Sequence, residues 1–292
     1  MNRLKQQISR FLPDNLSGPG TVTAYIFAGL LLFLIGFLVF FPENTLRQKL
    51  QYELAKNIPG KVIVGAASLR LPYSIQVENL LIRLDDRSIP ELKLDSLTLT
   101  PHLSTLIGRP GVCFKATDGS GNISGSVSKA GAVSLDIENY PIDQPVQGFS
   151  DLRLTGKIDS GQVETDLQPD PDKKSSINLQ AVGLSLKGTR SLGLTTDQIS
   201  LGQLDLEIIG KGRNLSITSA TLSGGDVSAE VGGTFLVGRT IPSTRMNLNI
   251  SAKAAASLDP SVSSLFELIG TPGREGTRKI TVRGTLAVPK MQ

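Results

Sequence analysis

The sequence contains very few of the residues that carry redox, metal or nucleophilic chemistry. Its 292 residues include one cysteine, Cys113, one histidine, His102, and no tryptophan. A single cysteine cannot form an intrachain disulfide, and His102 has no partner for a metal site or a Cys/His pair. We therefore expect no disulfide, no metal site and no cofactor.

Aromatic side chains are nearly missing from the second half of the chain. From Asp151 to the end the only ones are Phe235 and Phe266. Stacking on nucleic-acid bases or sugar rings needs exposed aromatic faces. The net charge of +4 is spread without a block of basic residues, which is typical of a solvated surface. We expect no nucleic-acid partner.

Catalytic motifs are also lacking. Residues 233–240 match a phosphate-binding loop except that Arg239 replaces the lysine, but no helical pattern follows, so a hairpin is the better interpretation. Asp170 and Asp172 have no third acidic residue beside them to complete a calcium site. The sequence has no nucleophile-elbow motif whose serine His102 could activate. We expect that the protein is not an enzyme.

One long apolar segment is present. The residues from Val22 to Phe41 carry no charge, and twenty residues at about 1.5 Å rise span the roughly 30 Å hydrocarbon core of a bilayer. A cleaved signal peptide would have a shorter apolar region and a small-residue cleavage site, which Phe40-Phe41-Pro42 does not provide. We predict a transmembrane anchor over residues 22–41. Its representative residues are Val22, Phe27, Leu31, Phe37 and Phe41.

Basic residues before the anchor indicate its orientation. Arg3, Lys5 and Arg10 are opposed in this segment only by Asp14, and positive residues tend to remain on the cytoplasmic side of a membrane. We predict that residues 1–21 are cytoplasmic. The rest of the chain then lies on the other side of the membrane.

Residues 42–60 are predicted to form a juxtamembrane amphipathic helix. Leu46, Leu50 and Leu54 recur every fourth residue, and Pro59-Gly60 provides a stop. The apolar stripe can cap one end of the β domain or lie on the membrane interface. We favour the cap, because the stripe is narrow and the polar face carries charges of both signs.

Beyond Lys61 the apolar period changes to two, which is typical of strands with one apolar face. We predict that residues 61–292 form a mainly β domain, an elongated, curved and mostly antiparallel sheet with few short helices. The alternation is clearest in four strands, which begin near Val133, Leu152, Leu204 and Met246. The candidate core or groove face consists of Leu152, Leu154, Leu204, Leu206, Ile208, Leu248 and Ile250.

The alternation is interrupted at defined places. The apolar parity changes between Val77 and Leu80 and again between Leu94 and Leu97, which requires a β-bulge or a sharp bend. Glycine-rich segments predict hairpin turns. These segments are residues 119–122, 159–161, 210–212 and 224–226.

Two short helices and one polar segment also break the strand pattern. We expect helical turns at residues 102–107 and from Pro260 to Ile269, where Asp259 is a suitable N-cap. The polar segment 169–174 is either a linker between two β lobes or a long turn in one continuous sheet. We favour the turn, because the strand pattern is alike on both sides.

The order of these features resembles a known family, the N protein of bacterial type II secretion systems. The resemblance rests on the basic head, the apolar helix, the leucine-rich helix and two short motifs within a glycine-rich β run. The two motifs are Leu71-Pro72-Tyr73 and the segment from Leu97 to Pro101. It implies a Gram-negative, single-pass inner-membrane protein with a periplasmic domain, sometimes grouped with AsmA-like proteins whose curved sheets form lipid-bearing grooves.

Two functions therefore remain open, and we favour the first because it matches the resemblance. In the first, the protein is a non-catalytic scaffold that docks other secretion-system or envelope proteins through exposed strand edges. In the second, an uncovered aliphatic face binds the acyl chains of phospholipid or lipopolysaccharide beside the membrane. The number of covering helices discriminates between them, because a sheet with few helices must leave apolar area exposed unless it folds onto itself as a sandwich.

Overall fold

The computed structural model describes Gly29 and residues 42–58, 60–70, 74–84, 91–102, 110–146, 151–166, 172–238, 240, 243–256 and 258–291. Two α-helices lie within these ranges, α1 (Glu43–Asn57) and α2 (Pro260–Leu268). The strands are β1 (Gly60–Arg70), β2 (Ser74–Leu84), β3 (Leu92–Pro101), β4 (Gly111–Asp118), β5 (Gly121–Ser128), β6 (Ala132–Pro145), β7 (Arg153–Asp166), β8 (Lys174–Lys187), β9 (Gln198–Lys211), β10 (Asn214–Ser223), β11 (Val227–Leu236), β12 (Arg245–Ala254), β13 (Thr271–Pro272), β14 (Thr277–Thr285) and β15 (Pro289–Met291).

All fifteen strands belong to one antiparallel sheet, which confirms the predicted mainly β class. From β1 to β12 every strand pairs with the next strand along the chain, and β14 follows β12. The short strands β13 and β15 both pair with β14. The β7–β8 ladder extends from Arg153 opposite Lys187 to Glu164 opposite Ser176, so the sheet is continuous on both sides of the polar segment 169–174.

Three of the four predicted glycine-rich turns join neighbouring strands. Gly119, Gly212 and Gly224 have positive φ angles of 55°, 57° and 75°, which glycine adopts without steric cost. The prediction for residues 159–161 is wrong. These residues lie inside β7, which pairs with β6 in one register from Arg153 to Asp166. Their turn-like composition is overridden by strand pairing on both sides.

The predicted change of apolar parity in β2 and β3 coincides with a left-handed residue rather than with a β-bulge. Val77, Leu80 and Leu94 are all buried, yet the β2–β3 register does not shift between them. Asn79 instead has a φ of 52°, and an added Cβ on Gly65 in β1 would meet the Glu78 carbonyl oxygen at 2.8 Å. The left-handed backbone of Asn79 therefore moves the following side chains to the other face of the sheet without a bulge. Gly65, which has no Cβ, leaves room for this backbone.

Helix α1 packs against the first strands of the sheet. Leu46, Leu50, Leu54 and Ile58 contact a buried cluster whose centre is Val77, which is 1% exposed. We call this cluster 1. The Arg47 guanidinium also donates a hydrogen bond to the Gly65 carbonyl oxygen at 3.3 Å. The packing matches the predicted cap on the β domain.

A second cluster lies where α2 meets β9. Val262 of α2 packs with Leu194, Ile199 and Leu258, and we call this group cluster 2. The predicted N-cap is confirmed, because an Asp259 carboxylate oxygen accepts a hydrogen bond from the Ser261 backbone amide at 2.8 Å. Both clusters are small relative to the sheet.

The N-terminal predictions lie outside the described residues. Apart from Gly29, this applies to the cytoplasmic segment 1–21 and to the anchor 22–41 with Val22, Phe27, Leu31, Phe37 and Phe41. It applies also to most of the expected helical turn at 102–107. In the part of the chain that the structure describes, no helix has the length and apolar character needed to cross a membrane.

Two glycines with the same backbone conformation, Gly193 in the turn before β9 and Gly202 inside β9, test how closely β9 packs against the end of β10. Gly193 and Gly202 have φ angles of 81° and 78°, but an added Cβ on Gly193 meets nothing, whereas on Gly202 it would overlap the Ser223 carbonyl oxygen. We expect Gly193→Ala to lower the unfolding free energy by about 1 kcal/mol and Gly202→Ala by about 3 kcal/mol or more. Urea denaturation followed by circular dichroism measures both. Equal losses would contradict the packing described for β9 and β10.

Candidate functional site

The two faces of the sheet differ in chemistry. On β12, Leu248 and Ile250 are half-buried, whereas Asn247 and Asn249 are exposed. The same alternation recurs along β11, where Val231 is half-buried and its predecessor Glu230 is exposed. We call the two sides the aliphatic face and the polar face.

Strand register aligns the apolar side chains of the aliphatic face into two rows that cross eight strands, from β6 to β14. The first row contains Leu135, Val163, Ile177, Ile208, Ile217, Gly233, Leu248 and Val282, each directly opposite the next. The second row contains Ile137, Gly161, Leu179, Leu206 and Ala220 on β6 to β10, followed by Val231, Ile250 and Ile280. We call these rows the aliphatic band. Seven spacings of about 4.8 Å make it about 34 Å long.

The aliphatic band is not a closed core. Only Gly161, Ile208 and Ala220 in it are buried, and the other members are half-buried. In the described part of the chain, α1 packs on cluster 1 and Val262 of α2 on cluster 2, and neither cluster includes a residue of the band. The band therefore presents aliphatic carbon that the described elements cover only partly.

The chemistry of the band is uniform. Its sixteen positions hold Leu, Ile, Val, Ala and Gly, without a charged, hydroxyl-bearing or aromatic side chain. Such a surface offers dispersion and hydrophobic contact but no directional hydrogen bond. It suits a long apolar ligand rather than a polar substrate.

The residues predicted for the apolar face are distributed over the sheet. Leu206, Ile208, Leu248 and Ile250 belong to the band. Leu204 is half-buried and faces Ala181 on β8. Leu154 is half-buried near the start of β7, away from the band positions Gly161 and Val163 on the same strand. Leu152, just before β7, is buried with 3% exposure.

A polar pair beside the band was not predicted from the sequence. The Tyr140 hydroxyl on β6 donates a hydrogen bond to an Asp118 carboxylate oxygen on β4 at 3.4 Å. Burial raises the pKa of Tyr140, and the negative charge of Asp118 raises it further. The preceding residue, Asn139, has a φ of 53°, which changes the side of the strand on which Tyr140 lies. Alternation alone does not reveal this contact.

The sequence segments considered for catalysis take ordinary structural roles where the structure describes them. Gly233 to Leu236 are the end of β11, and the chain returns as β12, as the hairpin interpretation predicted. Asp170 and Arg239 lie outside the described residues. Within the described ranges, no group of three or more His, Cys, Asp and Glu residues could hold a metal ion.

Comparison with protein-family models, curated proteins and solved structures finds no match to this chain. The resemblance to the secretion N protein therefore stays a prediction.

Two single variants test whether the aliphatic band is open to water while cluster 1 is closed. One places a carboxylate on the band and the other places a carboxylate in the cluster. Val77→Asp buries an unpaired charge and should cost several kcal/mol, about 4 or more, which unfolds or depletes the protein. Leu206→Asp should cost only about 1 to 2 kcal/mol, because the carboxylate of a half-buried residue reaches water. Urea denaturation of both variants gives the comparison. If Leu206→Asp is as destabilising as Val77→Asp, the band is a closed core.

Proposed function

We propose that this chain is a non-catalytic lipid-binding protein anchored in the inner membrane, which holds acyl chains along the aliphatic band of a periplasmic sheet. The observation that carries the proposal is the half-burial of two continuous aliphatic rows over eight strands. Soluble monomeric proteins rarely leave so long an apolar surface without a partner. The band therefore needs an occupant.

The composition of the band supports an acyl chain as that occupant. Aliphatic side chains without hydrogen-bonding groups match a hydrocarbon chain, and each contact removes apolar area from water at about 25 cal/mol per Å². The hydrocarbon core of a bilayer, about 30 Å thick, holds two chains end to end. A band of about 34 Å is therefore longer than one acyl chain of phospholipid or lipopolysaccharide.

We propose further that the sheet is elongated and curved, so that the band becomes a groove. Four neighbouring ladders, from β7–β8 to β10–β11, contain register shifts. Such irregularities bend a strand and increase its twist. Four in succession support a sheet that curves through its middle, where the band lies.

The location follows from the apolar segment 22–41, which we propose as the single membrane span with a cytoplasmic N-terminus. Apart from Gly29, the described residues begin at Pro42, immediately after this segment. Helix α1 would then start at the membrane surface, and the band would receive lipid close to the bilayer from which it comes.

A scaffold in type II secretion is the second candidate. The observation that favours it is the edge of the sheet at β1, which pairs with β2 and with no other described strand. An exposed strand edge can add a strand from another protein. In this alternative the partners are other components of the secretion system or the envelope.

Photocrosslinking in living cells separates the two functions. We would place benzoylphenylalanine at Leu248 on the band and, as the control, at Lys253 on the polar face of the same strand, in the full-length protein. After growth with radioactive phosphate and ultraviolet irradiation, the Leu248 position should give labelled protein and the Lys253 position should give little. The reason is that only the band faces the acyl chains.

Two other outcomes would reject the lipid proposal. Equal phosphate labelling at both positions would indicate non-specific contact with the bilayer. Protein adducts at Leu248 without phosphate label would favour the scaffold.

A further inference from the structure

A separate cleft of about 800 Å³ lies at one end of β8 to β11. Its lining includes Lys174, Lys211 and Asn214 with Ile209, Leu236 and the single acidic residue Glu164. All six alternate in their strands with residues of the aliphatic face, so their side chains belong to the polar face. Its volume is within the range of small-molecule sites.

The two lysines of the cleft are placed against each other. Lys174 on β8 is directly opposite Lys211 on β9, and like charges at directly opposed positions destabilise a sheet. Within the described residues, the ion pairs do not involve either lysine. Asn214 is opposite Lys211 on its other side. The cleft thus holds two adjacent cations, whose charge an anion would neutralise. It also holds an amide that can donate a hydrogen bond to that anion.

Beside these cations the polar face carries large apolar side chains. Ile209 is 47% exposed and Leu236 is 41% exposed. Asn214 pairs with Leu236, and Ile209 pairs with Ser216 of the next strand. Apolar contact area and cationic donors therefore converge in one cleft.

We propose that this cleft binds a small amphiphile with an anionic phosphate or carboxylate headgroup. Lys174, Lys211 and Asn214 donate hydrogen bonds to the headgroup, and Ile209 and Leu236 contact the apolar part. Glu164 repels the same headgroup and weakens binding. The site is distinct from the aliphatic band, because none of the residues that line the cleft belongs to the band.

Octyl phosphate is a suitable probe, and titration calorimetry of the full-length protein in phosphatidylcholine nanodiscs is a suitable measurement, with empty nanodiscs as the blank. The double variant Lys174→Gln, Lys211→Gln should weaken binding about tenfold or more, because it removes two charged donors. Glu164→Gln should tighten binding. Lys253→Gln, at an exposed lysine on β12, is the matched control and should leave the affinity unchanged.

Two further ligands fix the chemistry of the site. Inorganic phosphate should bind more weakly than octyl phosphate, and Ile209→Ser should reduce that difference. Octyltrimethylammonium, which can contact the band but not the lysines, should bind more weakly than octyl phosphate. Unchanged affinity for octyl phosphate in the double lysine variant, equal binding of inorganic and octyl phosphate, or equal binding of the two amphiphiles would each overturn the proposal.

Discussion

The hydrogen-bonded register between neighbouring strands is the constraint on which the other features depend. Each strand from β6 to β12 and then β14 sets the position of the next, so that Ile177, Ile208 and Ile217 lie directly opposite one another. Directly opposite residues lie on the same face of a sheet, and successive residues along a strand alternate between the two faces. The register therefore decides which face each apolar side chain occupies. A band across eight strands is the cumulative result.

Few helices are available to cover that band. In the described ranges, α1 and α2 are the α-helices with defined bounds, and they pack on two clusters away from it. Val77 in cluster 1 is 1% exposed, whereas Leu206 and Leu248 remain half-buried. Closed packing thus stabilises one end of the sheet, whereas along the band the described elements leave most of the aliphatic side chains half-buried. This contrast is the physical basis for the proposed lipid binding.

Much of this architecture follows from local sequence patterns. The alternation of Leu248 and Ile250 with asparagines predicts a strand with an apolar face, and Asp259 before Pro260 predicts the start of α2. Long-range features do not follow in the same way. Lys174 and Lys211 meet only because β8 and β9 adopt one particular register. The left-handed Asn79 and Asn139 interrupt pairing that resumes in the same register after them, which no local pattern reveals.

The most direct test of the lipid proposal is the lipid content of the protein without its apolar N-terminal segment. The fragment from Pro42 onward would be exported to the periplasm with a cleavable signal and purified without detergent. Mass spectrometry of its organic extract would then identify and quantify the bound lipid. The account predicts about one acyl-chain lipid for each protein chain, and loss of that lipid in the folded Leu206→Asp variant. A monodisperse fragment that carries no lipid would contradict it.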